Sequence, residues 1–196
     1  MATAIVSALY VAAQILSDIA SLRIVSLLGM SIDGGTFIYP ITFTLRDLLH
    51  KVAGAKVTRA IIVVAAVVNV AMILLFWLVA FLPGDTSVGP QIEFAAVLAP
   101  AWRIVFASIL AEMISEMLDT EAYVLWIKKV TTRYQWARVL VSNAVSVPID
   151  SLVFSWIAFG WMLPASVVWG ICLSNIIIKG AVTLISLPSI YLVKEQ

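Results

Sequence analysis

Ile61 to Leu82 reads IIVVAAVVNVAMILLFWLVAFL, and this stretch decides what kind of protein the chain encodes. Asn69 is its single strongly polar residue, and Pro83-Gly84-Asp85 closes it with a turn signal. About 20 apolar residues carry a helix across the hydrocarbon of a bilayer, and this uncharged run has that length. Working outward, Ser151 to Ile178 is also free of charge; Gly160-Trp161-Met162-Leu163-Pro164 in its middle can close one helix and open another. The 196 residues as a whole are 63% apolar and 12% charged, with a mean hydropathy of +1.09. Soluble domains typically carry about 45–50% apolar and about 25% charged residues. The composition therefore excludes a soluble enzyme or a nucleic-acid binder and predicts an all-α integral membrane protein whose first partner is the lipid bilayer. Twelve Lys+Arg against eleven Asp+Glu leave a net charge of +1, so no bulk polyanion partner is implied. The lone Cys172 and the lone His50 argue against a disulfide framework, a thiolate cluster or a histidine-ligated metal, and no cofactor is expected.

Uncharged runs and turn signals predict six transmembrane helices near 2–27, 36–53, 57–82, 98–129, 134–160 and 164–193, all in one domain, 1–196. The second is short, contains Pro40, Arg46 and Asp47, and suits a tilted, broken or re-entrant helix. Lys51, Lys56 and Arg59 fall between the second and third helices, Lys128, Lys129, Arg133 and Arg138 around the fourth connection, and Lys194 in the tail. The connection between the third and fourth helices, Pro83 to Pro100, holds only Asp85 and Glu93, and the turn between the fifth and sixth holds no charge. Basic residues concentrate on the cytoplasmic side, so both termini are expected in the cytoplasm and the protein in the cytoplasmic (inner) membrane. The N-terminal run lacks the basic residues that precede a secretory signal and is read as a retained helix.

Ionisable side chains at membrane depth are costly and usually face a protein interior or a watery cavity. Here they recur at helical spacing. Gln14, Asp18 and Ser21 mark the first helix; Thr42, Arg46 and His50, with Phe43 and Asp47 beside them, the second. Ser108, Glu112, Glu116 and Asp119 stripe the fourth, Arg138, Ser142, Ser146 and Asp150, with Asn143 adjacent, the fifth, and Asn175, Lys179 and Thr183 the sixth. The third helix is nearly pure hydrocarbon and is expected to face lipid or shield the bundle. A polar cavity enclosed by the other five is the simplest arrangement. Plainer readings stay open beside it. Glu112 and Lys179 equally suit an interhelical ion pair, Arg46 a side chain snorkelling to lipid phosphate, and Ser142 and Ser146 close helix packing. The interior acids outnumber the interior bases, which points to protonated carboxyls, a bound cation, or a ligand rich in hydrogen-bond donors such as a guanine-like edge.

The run Gly35-Thr-Phe-Ile-Tyr-Pro-Ile-Thr-Phe-Thr-Leu-Arg-Asp47, followed by Gly54-Ala55 and Arg59-Ala-Ile-Ile, resembles the second-helix signature of the queuosine precursor transporters, also called the vitamin uptake transporter family. Glu116 and Asp119 resemble that family's acidic fourth helix, Arg138-x3-Ser142-x3-Ser146-x3-Asp150-Ser151 running into Phe154 its fifth, and Asn175, Lys179, Pro188 and Tyr191 its last. The likeness keeps order and spacing over about residues 18–193. It implies uptake of 7-cyano-7-deazaguanine and its 7-aminomethyl relative for queuosine modification of tRNA, and six helices laid out similarly to the substrate-binding subunits of energy-coupling-factor importers. The alternative is a transporter or substrate-binding subunit for another vitamin or purine-like molecule.

On that reading the candidate substrate-binding set is Phe43, Arg46, Asp47, Glu112, Glu116, Asp119, Asn143, Ser146, Asp150, Asn175 and Lys179. Asp150 and one of Glu116 or Asp119 accept the ring N–H and exocyclic amine; Asn143 or Asn175 completes the edge. Lys179 donates to the ring carbonyl or holds a carboxylate, and Phe43, Tyr39 or Trp169 stacks on the ring. The chain has no G-x-x-x-x-G-K-[ST] loop, so transport is facilitated, ion-coupled or driven by a partner ATPase. Ala4, Ala8 and Ala12 form a small-residue seam that suits a second copy of the chain, a coupling subunit or internal packing. An intramembrane enzyme is the rival class. It lacks support in an aspartyl Gly-x-Gly-Asp, a His-Glu-x-x-His or a histidine partner for a serine, and no enzyme is expected.

Overall fold

The computed structural model describes residues 2–89, 91–130 and 135–186. Among these residues six α-helices follow one another, with a small β-hairpin inserted after the first. Helix α1 runs Ala2–Ala20. The predicted first helix continued to residue 27; instead Ile24–Leu27 (β1) and Met30–Asp33 (β2) pair antiparallel, with Leu27 opposite Met30. Leu28 and Gly29 form the two-residue turn, both with positive φ (53° and 78°). That is the backbone that matches the twist of a tight hairpin. β-Branched Ile24, Val25 and Ile32 favour the strands, and the Ser174 hydroxyl on the last helix donates to the Ser31 carbonyl at 3.1 Å, tying the hairpin to the bundle.

A 3₁₀ turn over Gly34–Phe37 follows, capped by Asp33, whose Oδ1 accepts from the Gly35 N–H at 2.8 Å. Helix α2 then spans Tyr39–Phe81, with Pro40 at its start, and is parted into two arms at Gly54. Gly54 has φ 77° and ψ 166°, a conformation essentially reserved for glycine. The predicted second and third helices therefore meet at one residue rather than across a loop. A short helix α3 (Ile92–Leu98) rests on the end of α2 through a Phe76–Phe94 edge contact and a hydrogen bond from the Trp77 indole to the Ala99 carbonyl. Helices α4 (Ala101–Lys129), α5 (Gln135–Phe159, with Pro148 inside) and α6 (Ala165–Ser186) complete the bundle.

Among the described residues, five segments are long and apolar enough to cross a membrane: Ala2–Ala20, Lys56–Phe81, Ile92–Ser115, Val139–Phe159 and Ala165–Ile185. The sixth crossing predicted from the sequence corresponds to the N-terminal arm of α2, which is too short and too charged to count among them. In lipid, helices associate through close packing and polar contacts rather than hydrophobic burial. One apolar cluster, built on Ile104, Ala107, Ala111, Phe154, Ala158, Val168 and Ile171, joins α4, α5 and α6; its alanines let the helices approach closely. A second cluster joins α1 to both arms of α2 through Tyr10, Ala13, Leu45, Leu49 and Ala65. The C-terminal arm of α2 presents Val63, Val67, Leu74, Leu75 and Leu78 outward, as an arm facing lipid requires.

Candidate functional site

Between the two apolar clusters lies a narrow cavity, closely packed by its walls and lined largely by polar side chains. α1 contributes Ser17, Asp18 and Ser21 at helical spacing, and the hairpin and 3₁₀ turn bring Asp33, Gly35 and Thr36. Tyr39, Ser108, Phe154, Asn175 and Lys179 complete the lining from α2, α4, α5 and α6. Gly35 is required by this close approach. A Cβ there would stand 2.7 Å from the Ser17 carbonyl oxygen and 2.8 Å from its hydroxyl.

Each acid of the interior has a distinct environment. Asp33 is held by the chain: Ser21 donates to its Oδ1 at 2.6 Å, the Gly35 N–H to the same oxygen, and the Thr36 hydroxyl lies 2.5 Å from Oδ2. The Thr36 hydroxyl also reaches Asn175 Oδ1, so it locks the hairpin end to α6. Asp150 Oδ2 forms an ion pair with Lys179 Nζ at 2.5 Å, with both side chains almost wholly buried. The same ammonium lies 4.5 Å from the centroid of the Tyr39 ring and 5.8 Å from that of Phe43, within cation–π range. Asp18 is 2% exposed; Ser108 is its hydrogen-bonding neighbour, and Oδ2 has no partner among the described residues.

A second crevice adjoins the first through Tyr39 and is lined by Tyr10, Thr42, Phe43, Arg46 and Glu112 as well. Glu112 accepts from the Tyr10 hydroxyl and, at 3.1 Å, from the Gln14 amide. Arg46 is buried with its guanidinium 5.1 Å from the Phe43 ring centroid.

The structure thus brings Phe43, Arg46, Glu112, Asp150, Asn175 and Lys179 of the predicted set into one polar interior. The plainer alternative of a Glu112–Lys179 pair is replaced by Lys179 with Asp150 and Glu112 with Tyr10 and Gln14. Arg46 is buried rather than snorkelling outward. Asn143 and Ser146 are buried on α5 but are not part of the cavity lining, and Ser142 turns back to its own helix at the Val139 carbonyl. Trp169, one of three suggested stacking residues, is half exposed and packs edge-on against Trp156 instead, because its position on α6 faces away from Asn175 and Lys179. The side chains of Asp47, Glu116 and Asp119 lie outside the described residues.

Sequence reasoning missed Tyr10, Asp33, Thr36 and Phe154 as lining groups. Tyr10 was legible as the residue one turn before Gln14 on the same stripe. Asp33-Gly34-Gly35-Thr36 carries the mark of a capped turn, but the extended helix assumed through residue 27 hid its place in the site. No group of three or more His, Cys, Asp or Glu residues suited to a metal occurs among the described residues.

Comparison with known proteins follows the same direction. The chain is 27% identical over 187 residues, 94% of its length and 81% of the relative's, to a protein of Bacillus subtilis (strain 168) named "Probable queuosine precursor transporter". No solved structure matches it. Residues 33–193, from the aspartate that caps the 3₁₀ turn to beyond α6, match the family model described as "Putative vitamin uptake transporter". A polar interior walled by apolar helices, together with a match over most of the chain, places it: this chain belongs to the vitamin uptake transporter family.

Proposed function

We propose that this chain imports a 7-deazaguanine precursor of queuosine, 7-cyano-7-deazaguanine or its 7-aminomethyl relative, across the cytoplasmic membrane, and that it is a carrier rather than an enzyme. The observation that carries this reading is the buried cavity holding Asp18, Asn175 and Lys179 between aromatic walls from Tyr39 and Phe154. A purine-like base needs that combination: acceptors for adjacent N–H donors, donors for a ring carbonyl, and an apolar surface for its plane. The Bacillus subtilis relative's name supports the substrate class.

On this reading the N-terminal arm of α2 makes the sixth crossing, giving a six-helix layout similar to energy-coupling-factor substrate-binding subunits with both termini cytoplasmic. Its short length is compensated by the hairpin and 3₁₀ turn, which carry the chain from the end of α1 to Tyr39. Ala4, Ala8 and Ala12 are all exposed on α1, which favours an external contact over internal packing and suits a second copy of the chain.

Uptake into sealed vesicles containing the purified protein tests the proposal. Labelled 7-cyano- or 7-aminomethyl-7-deazaguanine should enter faster than into protein-free vesicles, and unlabelled base should compete where biotin does not. Entry at the protein-free rate would overturn it, and competition by other vitamins instead would favour the broader family reading.

A further inference from the structure

We propose that Asp18, rather than Asp150, is the carboxylate that reads the donor edge of the base, with the Asn175 amide beside it reading the ring carbonyl. This rests on the uptake reading above and names the atoms that would give it selectivity.

The interior acids differ in whether they have an oxygen to offer in the main cavity. Asp33 accepts from Ser21 and the Gly35 N–H through Oδ1, and its Oδ2 lies against the Thr36 hydroxyl, whose one proton is shared with Asn175 Oδ1. Asp150 pairs with Lys179 through Oδ2; its Oδ1 is also without a partner among the described residues, but Asp150 is not part of the cavity wall. Glu112 is engaged by Tyr10 and Gln14 in the neighbouring crevice. Asp18 lines the main cavity, is 2% exposed, and has Oδ2 without a partner among the described residues. A buried carboxylate oxygen left without a donor is costly, and a ligand that supplies N–H donors removes that cost. Asn175 is in the complementary position. Its Oδ1 meets Thr36, while Nδ2, also buried and unpartnered among the described residues, is left to donate.

One acceptor and one donor at the same cavity match a 2-amino-6-oxo base, whose ring N–H and exocyclic amine are adjacent and whose carbonyl lies beside them. A 6-amino base presents a ring nitrogen lone pair where that N–H would be. It would set lone pair against carboxylate, so the pair of residues selects as well as binds.

Calorimetric binding to the full-length protein in detergent tests this, using 7-aminomethyl-7-deazaguanine as the probe. Asp18→Asn should weaken binding about tenfold or more, and it should also erase the wild-type preference for that base over the analogue lacking the 2-amino group. The N1-methylated base tests the same contact on wild-type protein, whatever the substitution does to folding; it should bind about tenfold more weakly as well. Loss of less than about threefold for the methylated base, or an Asp18→Asn protein that keeps the 2-amino preference, would overturn the assignment of Asp18. Wild-type protein that binds no 7-deazaguanine base at all would instead overturn the uptake reading on which the assignment rests.

Discussion

Lys179 and Asp150 show how a membrane interior tolerates charge. Both side chains are buried, they meet at 2.5 Å, and the ammonium also faces the Tyr39 ring. Removing one member of such a pair leaves the other charge uncompensated, which typically costs about 3–5 kcal/mol, whereas replacing both with apolar groups is often close to neutral. Lys179→Met should therefore lower the thermal unfolding midpoint in detergent sharply, and Lys179→Met with Asp150→Leu should recover most of the loss. A single variant as stable as wild type would contradict the pairing. Gly35→Ala is a second test at this scale. The added methyl has no room beside Ser17, and overpacking typically costs about 1–3 kcal/mol, so the same assay should show a clear drop. The stripes that contain Asp150 and Lys179 were legible in the sequence from their spacing. That the two face each other across α5 and α6 was not, because residue spacing fixes the face of one helix and says nothing about how neighbouring helices are rotated.

At the scale of elements, the apolar runs located α4, α5, the start of α6 and the C-terminal arm of α2 to within a few residues; the predicted end of the last helix, near 193, lies outside the described residues. The ends of the first two predicted helices were less legible. Ile24 to Asp33 is apolar enough to extend a helix, and only the Leu28-Gly29 pair and the alternation after it signal a hairpin. Gly54 was expected to sit in a connection and instead forms the whole of it. Nothing lies within 4 Å of where its Cβ would be, so the obstacle to substitution is the backbone conformation alone. Strained φ/ψ of this kind costs about 1–3 kcal/mol. Gly54→Ala is expected to destabilise the protein by that amount, and spin labels on the two arms should report an altered inter-arm distance. Unchanged stability and distance would show that the break does not depend on glycine.

Across the whole molecule, the polar interior runs along α1. Asp18 and Tyr10 are eight residues apart, about 12 Å along a helix axis, and they border the main cavity and the second crevice respectively, with Tyr39 common to both. The proposed orientation puts the residue 82–91 connection on the outer side. Ser87, exposed in that connection, gives a direct check. In a Cys172→Ala background, Ser87→Cys should react with an impermeant thiol reagent added to intact cells; protection there, with labelling only after the membrane is opened, would reverse the topology. The central claim is that the cavity accepts a 7-deazaguanine base, and the most direct measurement is thermal stabilisation of the purified protein by 7-cyano- and 7-aminomethyl-7-deazaguanine, with guanine as control. A ligand at 100 times its dissociation constant adds about 2.7 kcal/mol to the native state. The account predicts a clear upward shift with at least one 7-deazaguanine base and a smaller one or none with guanine. No shift with either base, from protein that still unfolds cooperatively, would contradict it.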